Sequence, residues 1–176
     1  AVGMYALLRS TTNENLFMMG EARAEVLTSA MAGTVGYDKY YNQTLTAANP
    51  GPSWAAFYQT VNQANLIIKY VPEIPFGTEA EKNRILAQAY TMRAFVYFAM
   101  VRTWGGVPIR TEPTERYDPG SINIPRASVE EVFTLIKADL DKALSLYPDN
   151  NIPARTMWSK PSANVLKGDV YLWTGK

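Results

Sequence analysis

Apolar residues recur along this chain with the period of a helix rather than that of a strand. The pattern is densest between Thr78 and Pro108, where Ile85, Ala89, Met92, Val96 and Ala99 alternate at spacings of four and three and so share one helical stripe. Leu86, Phe95, Phe98, Met100 and Val101 widen that stripe until Arg93 is the only charge between Met92 and Val101, which predicts a helix buried on most sides. Thr78 and Glu81 have the spacing of a capping box at its start. At its end Gly105-Gly106 supplies a residue suited to the left-handed terminating conformation, and Pro108 forbids continuation. The apolar run is far shorter than the roughly 20 residues a bilayer crossing needs, so it predicts a core helix rather than a membrane span.

The same rhythm predicts helices on either side. Met4, Leu7 and Leu8 form a short stripe at the start, which reads as a chain entered inside a helix, and a second helix is expected over Leu16–Met31 with Gly33 as its stop. Ser53 is placed to cap a third, in which Phe57, Val61, Ala64 and Ile68 face inward and Pro72 and Pro75 end the pattern. Ser128 and Glu131 repeat the capping box ahead of Val129, Val132, Ile136, Leu140, Ala143 and Tyr147, and Pro148 closes that helix. In the last helix Ala163, Leu166, Val170 and Trp173 form the inner stripe, with Ser159 as N-cap and Trp158 as a staple on the first turn. The expectation is an all-α fold of about six helices in a single helical domain over 1–176, with at most a short extended pair after Pro108. The final two helices have the size and spacing of a tetratricopeptide-like hairpin.

Two long polar stretches interrupt the helices. Gly33–Pro52 is rich in Gly, Asn, Thr and Pro and carries Tyr37, Tyr40 and Tyr41. Structureless loops of that length are uncommon and are usually functional or disordered. The plainer expectation is that the three rings pack onto the helical body, and the alternative is that they face a ligand, since such rings suit either task. Gly105–Ala127 contains a turn signal at Asp118-Pro119-Gly120 and needs no regular structure.

Composition narrows the function. Apolar residues make up 47% of the 176 and charged ones 19%, with no low-complexity tract, which describes a globular chain able to build a core. Lys plus Arg numbers 17 against 16 for Asp plus Glu, without clustering, so nucleic acid is a poor partner. The chain contains neither Cys nor His. That removes disulfides, thiol nucleophiles, Ser-His triads and imidazole or thiolate metal sites. Glu130-Glu131 and Asp139-Asp141 are the paired carboxylates on helices, but neighbours along a helix do not face each other across a bond. The helix dipole accounts for the first pair and a solvated face for the second. No phosphate-binding glycine loop is present, and no cofactor or catalytic residue is indicated. Asn62 and Asn65 share one flank and are expected to bond neighbouring backbone, and Arg93 is expected to tie its helix to another segment, since a guanidinium in an apolar turn must find partners.

The run AYTMRAFVYFAMVRTWGGVPIRTEP resembles the Arg-Ala-aromatic helix and Gly-Val-Pro exit of the SusD/RagB family. Ser53–Val71, with its W..FY..V..AN..I pattern, resembles the helix before it, and PRASVEEVFTLIKADLDKALSLYP and PSANVLKGDVYLWTGK resemble the two that follow. The resemblance implies a non-enzymatic, cell-surface outer-membrane lipoprotein of Bacteroidota. Such a protein binds an oligosaccharide or other nutrient and passes it to a SusC-type TonB-dependent transporter. It also implies that residues 1–176 are the N-terminal part of a longer protein, attached to the membrane through a lipid-bearing Cys ahead of this sequence. Tyr37, Tyr40, Tyr41 and Asn42 occupy the region where some relatives place an early ring contact, and are the candidate ligand-binding residues. The alternative from another class is a tetratricopeptide-type scaffold that holds a peptide or protein in a groove.

Overall fold

The helical periodicity is realised almost everywhere the computed structural model describes the chain, which is residues 2–13, 15–24, 38–46, 54–116, 118, 120, 123–150, 154 and 156–175. Among the described residues there are seven α-helices and no strand. They are α1 (Val2–Thr12), α2 (Asn15–Met19), α3 (Asp38–Tyr41), α4 (Trp54–Tyr70), α5 (Glu79–Trp104), α6 (Val129–Leu146) and α7 (Lys160–Thr174), with short 3-10 turns at Glu21–Arg23 and Val71–Glu73. None of them is long and apolar enough to cross a membrane.

The fold is built outward from α5. Its Met92, Ala94, Val96, Tyr97, Phe98, Ala99 and Met100 are buried, because α4 packs on one side and α6 on the other. Then α1 lies on α4 and α7 on α6, so the helices stack as a tetratricopeptide-like series. Aromatic edges lock the contacts. Phe57 meets Trp104 at 5.3 Å between centroids with the planes 86° apart, and Phe98 meets Phe133 at 6.2 Å, both edge-to-face arrangements that ring quadrupoles favour.

The caps follow local chemistry. Thr78 accepts a hydrogen bond from the Glu81 amide at 3.2 Å, which is one half of the expected box. Ser128 and Glu131 form the whole box, and Ser159 forms one with Ser162. Gly105 takes φ +71° as expected of a terminator, but its ψ of −139° lies outside the left-handed helical region, so α5 leaves in an extended direction toward Val107. Gly106 then runs against α6's entrance, where an added Cβ would lie 2.1 Å from the Ala127 carbonyl oxygen. Only glycine fits there. One backbone bond, from the Ala127 amide to the Val107 carbonyl at 3.1 Å, stands where a short extended pair was expected.

Several expectations need correction. The helix over Leu16–Met31 stops at Met19: the Gly20 backbone turns at φ −106°, ψ −92°, and a 3-10 turn follows. Residues 25–31, Gly33 and Ser53 lie outside the described residues. Within the stretch expected to be irregular, Asp38–Tyr41 forms one helical turn. Val129 and Trp173, assigned to inner stripes, are exposed, although the Trp173 ring still meets Phe98 of α5 edge-on at 6.3 Å. Trp158 packs on Phe95 of α5 at 5.3 Å, and its backbone amide donates to the Tyr5 hydroxyl, so at the entrance to α7 it also ties in α1 and α5.

Burial ranks the positions for test. Phe98 is 1% exposed, so Phe98→Ala should destabilise by about 3–5 kcal/mol in a denaturant melt. Glu79 pairs with Lys82 on the surface of the first turn, and Glu79→Ala should cost under about 0.5 kcal/mol. Equal losses would mean that α5 buries a different face.

Candidate functional site

Among the described residues the segment leaving α5 has no strand partner, and side chains satisfy much of its polar backbone. Helix α4 supplies most of them. The Asn65 amide donates to the Arg110 and Glu112 carbonyls at 3.1 and 3.2 Å, and the Asn62 carbonyl accepts from the Thr114 amide at 2.6 Å. Tyr58 donates its hydroxyl to the Pro108 carbonyl, and the Tyr97 hydroxyl accepts from the Arg110 amide at 2.7 Å. Burial raises the pKa of both phenols, to about 12 for Tyr97, so they remain neutral at physiological pH. Farther along, Lys69 and Tyr70 both reach the Glu115 carboxylate. The two asparagines thus bond backbone, as their spacing suggested.

Arg93 anchors the underside of this segment. Its Nε and Nη2 donate to the two Asp139 carboxylate oxygens at 2.8 and 2.7 Å, and its Nη1 donates to the Asn65 side-chain oxygen at 2.7 Å and the Thr111 carbonyl at 3.3 Å. The structural tie expected of Arg93 is therefore present, but its partner corrects the reading of Asp139. That carboxylate is buried on the inner side of α6 instead of lying on a solvated face. Asp141, which does face outward, pairs with Lys167 of α7. Desolvation of the Arg93 guanidinium is outweighed by its bonds to Asp139, so its pKa rises. Desolvation also raises the Asp139 carboxyl, and Arg93 pulls it back only in part. We take the fork-on-carboxylate geometry as that of an ionised pair whose mutual attraction roughly offsets the cost of burying it.

Held in this way, the segment walls a cleft of about 580 Å3 whose lining includes Ile109, Arg110, Glu112, Thr114, Arg116 and Asp118. Charges of both signs and two isoleucines give it mixed character. Sequence reasoning did not nominate this cleft. The available signal was the density of ionisable residues, two arginines and three carboxylates between Arg110 and Asp118, in a proline-interrupted stretch.

The nominated residues lie elsewhere. Tyr40, on α3, is 5% exposed and packs with Met18 and Ala22 in a small separate cluster. Tyr41 is half-buried and Asn42 exposed, side by side where α3 ends, and Gln43 follows at φ +56°. Tyr37 lies outside the described residues. Tyr41 and Asn42 are thus presented together at a tight turn, whereas the Tyr40 ring is turned into the body. Among the described residues no group of three or more acidic side chains is placed to hold a metal ion.

Residues 2–172 match a SusD-like family model described as starch-binding and associating with the outer membrane. The chain belongs to this SusD-like family. It is 32% identical over 141 residues to a SusD-like protein of Formosa agariphila, covering 79% of this chain and 27% of the relative. It is also 32% identical over 141 residues to a SusD-like protein of Bacteroides ovatus, covering 77% and 25%. Among solved structures it is similar to B. fragilis NanU, with a TM-score of 0.83 and 31% identity over 99% of this chain and 35% of that one. A laminarin-binding SusD-like protein superposes with a TM-score of 0.81 at 27% identity, covering 99% and 39%. The SusD-like chain therefore spans about a quarter of the length of these curated relatives.

The Arg93–Asp139 geometry makes a specific demand. Asp139→Ala leaves a buried guanidinium unpaired and should cost about 3–5 kcal/mol, whereas Arg93→Met with Asp139→Leu should recover most of that loss. Thermal melts of the three proteins decide it. A double variant as unstable as the single one would show that the pair itself stabilises the fold.

Proposed function

We propose that residues 1–176 are the N-terminal helical part of a longer outer-membrane lipoprotein. On this reading the protein captures an oligosaccharide at the cell surface of a Bacteroidota bacterium and delivers it to a SusC-type TonB-dependent transporter. The observation that carries this reading is the family match over residues 2–172, a family described as starch-binding and outer-membrane-associated. The laminarin-binding relative supports a glycan as the ligand class. The protein binds and releases its ligand without breaking a bond, and needs no cofactor.

The geometry of the tyrosine turn supports a local role in that binding. Tyr41 offers a partly exposed ring, able to cover the apolar face of a sugar, and the neighbouring Asn42 amide offers both donor and acceptor to hydroxyls. Tyr37, close to them in sequence, is proposed as a further ligand-binding residue, while Tyr40 holds the turn against α2. A peptide held in the cleft beside Arg110 and Arg116 is the second reading, favoured by the opposed charges that line it.

Glycan and peptide arrays probed with the full-length protein separate the two. For a glycan that binds, replacing Tyr41 and Asn42 with Ala should weaken affinity by roughly 1–3 kcal/mol in titration calorimetry, with an unchanged melting temperature. Tyr40→Ala should instead lower the melting temperature, because it empties the cluster with Met18 and Ala22. Unchanged affinity in the first variant would move the glycan site away from this turn, and peptide hits alone would favour the scaffold reading.

A further inference from the structure

Successive residues of an extended chain turn their N–H and C=O groups to opposite sides, so even and odd positions of the segment after α5 occupy separate edges. The even edge is fully engaged with the helices. Tyr58 holds the Pro108 carbonyl, Tyr97 and Asn65 hold the Arg110 amide and carbonyl, Asn65 also holds the Glu112 carbonyl, and Asn62 takes the Thr114 amide. The odd edge is open at Ile109 and Thr111. Among the described residues the Ile109 amide and carbonyl and the Thr111 amide have no hydrogen-bond partner, and only the Thr111 carbonyl is taken, by Arg93.

That odd edge starts a ladder and then stops. The Ala127 amide donates to the Val107 carbonyl at 3.1 Å, and the residue two before Ala127 is Pro125, which has no N–H to give Ile109. The cleft of about 580 Å3 has Ile109 and Ile124 in its lining, and none of its described lining residues comes from α4 or α5. The open edge therefore borders the cleft, while the engaged edge borders the helices.

We propose that the Ile109–Thr111 edge is a strand-addition site for an extended peptide segment of another protein. One residue of the incoming segment exchanges both backbone bonds with Ile109, as in an antiparallel pair, and the residue two away accepts from the Thr111 amide. The residue between them turns its backbone outward. A polypeptide supplies a donor and an acceptor at the same two-residue period as this edge, and main-chain bonds of this kind give affinity while the surrounding side chains give selectivity. Ile109 and Ile124 favour an apolar residue, and Arg110 and Arg116 against Glu112 and Asp118 favour flanking charges of both signs. Pro108 and Pro113 bound the open stretch, so it accepts a few residues without templating further sheet growth. The inference rests on the peptide reading of this cleft and is independent of the glycan reading of the tyrosine turn.

The test uses a library of short linear peptides displayed on phage and selected against the full-length protein, with an enriched peptide then synthesised for titration calorimetry. Thr111→Pro removes the donating amide and leaves every bond of the even edge, so it should weaken that peptide at least tenfold with an unchanged melting temperature. The peptide's own amides are next replaced one at a time by their N-methyl forms. Amides facing Ile109 and Thr111 should lose tenfold or more, and the amide between them should tolerate the methyl group. This scan uses the unmodified protein, so it stands even if Thr111→Pro does not fold. Arg116→Glu reports separately on whether the peptide lies in the cleft. A peptide weakened by Arg116→Glu but showing no alternation among its amides would leave the peptide reading intact and overturn strand addition. Selection that yields no binding peptide, or only peptides indifferent to both substitutions, overturns the two together.

Discussion

A single guanidinium sits where three helices and one loop meet. Arg93 projects from α5, takes both carboxylate oxygens of Asp139 on α6, and passes its remaining donor to Asn65 on α4 and to the Thr111 carbonyl. Because Asn65 in turn holds the Arg110 and Glu112 carbonyls, one charge fixes the register of α4, α5 and α6 together with the path of the segment after α5. Apolar packing alone would tolerate sliding among these stripes of similar side chains. A planar fork that must find a carboxylate does not, because any other register leaves a buried charge unpaired.

The consequence for function is positional. The chain between α5 and α6 is held by Tyr58, Asn62, Asn65, Tyr97 and Arg93, all carried on rigid helices, so an irregular segment acquires a defined path and walls a cleft without strand pairing. The tyrosine turn is built differently, as a single helical turn pinned by one inward ring, Tyr40, with Tyr41 and Asn42 left toward the outside. Both arrangements place polar and aromatic groups on a fixed scaffold, which suits recognition of a ligand whose own shape varies little.

Much of this was legible before any coordinates. The stripes in α4, α5 and α6 and the Ser128 and Ser159 caps rest on local spacing, which a helix converts directly into a face, and the family resemblance rests on residue motifs. The break at Gly20 and the single turn Asp38–Tyr41 were not legible, because a short element gains little from periodicity and owes its existence to what it packs on. The candidate site was legible only as residue types. Three nearby tyrosines signalled a surface of interest, but which ring turns inward depended on Met18 and Ala22, far off in sequence.

Arg93 and Asp139 show where the division falls. The sequence by itself determined that an arginine in the most apolar turn of the chain must be tied to some partner, since desolvation of an unpaired charge is prohibitive. It also determined the helices and their caps, because these depend on residues within a few positions of one another. Only the tertiary structure decided that the partner is Asp139, 46 residues away, rather than a carboxylate on a wet surface. The same holds for Trp173, apolar in pattern, whose ring meets Phe98 of α5 yet remains largely exposed. Spacing along a helix says which residues share a face, but what covers that face depends on how the helices cross, and that is settled by contacts that are distant along the chain.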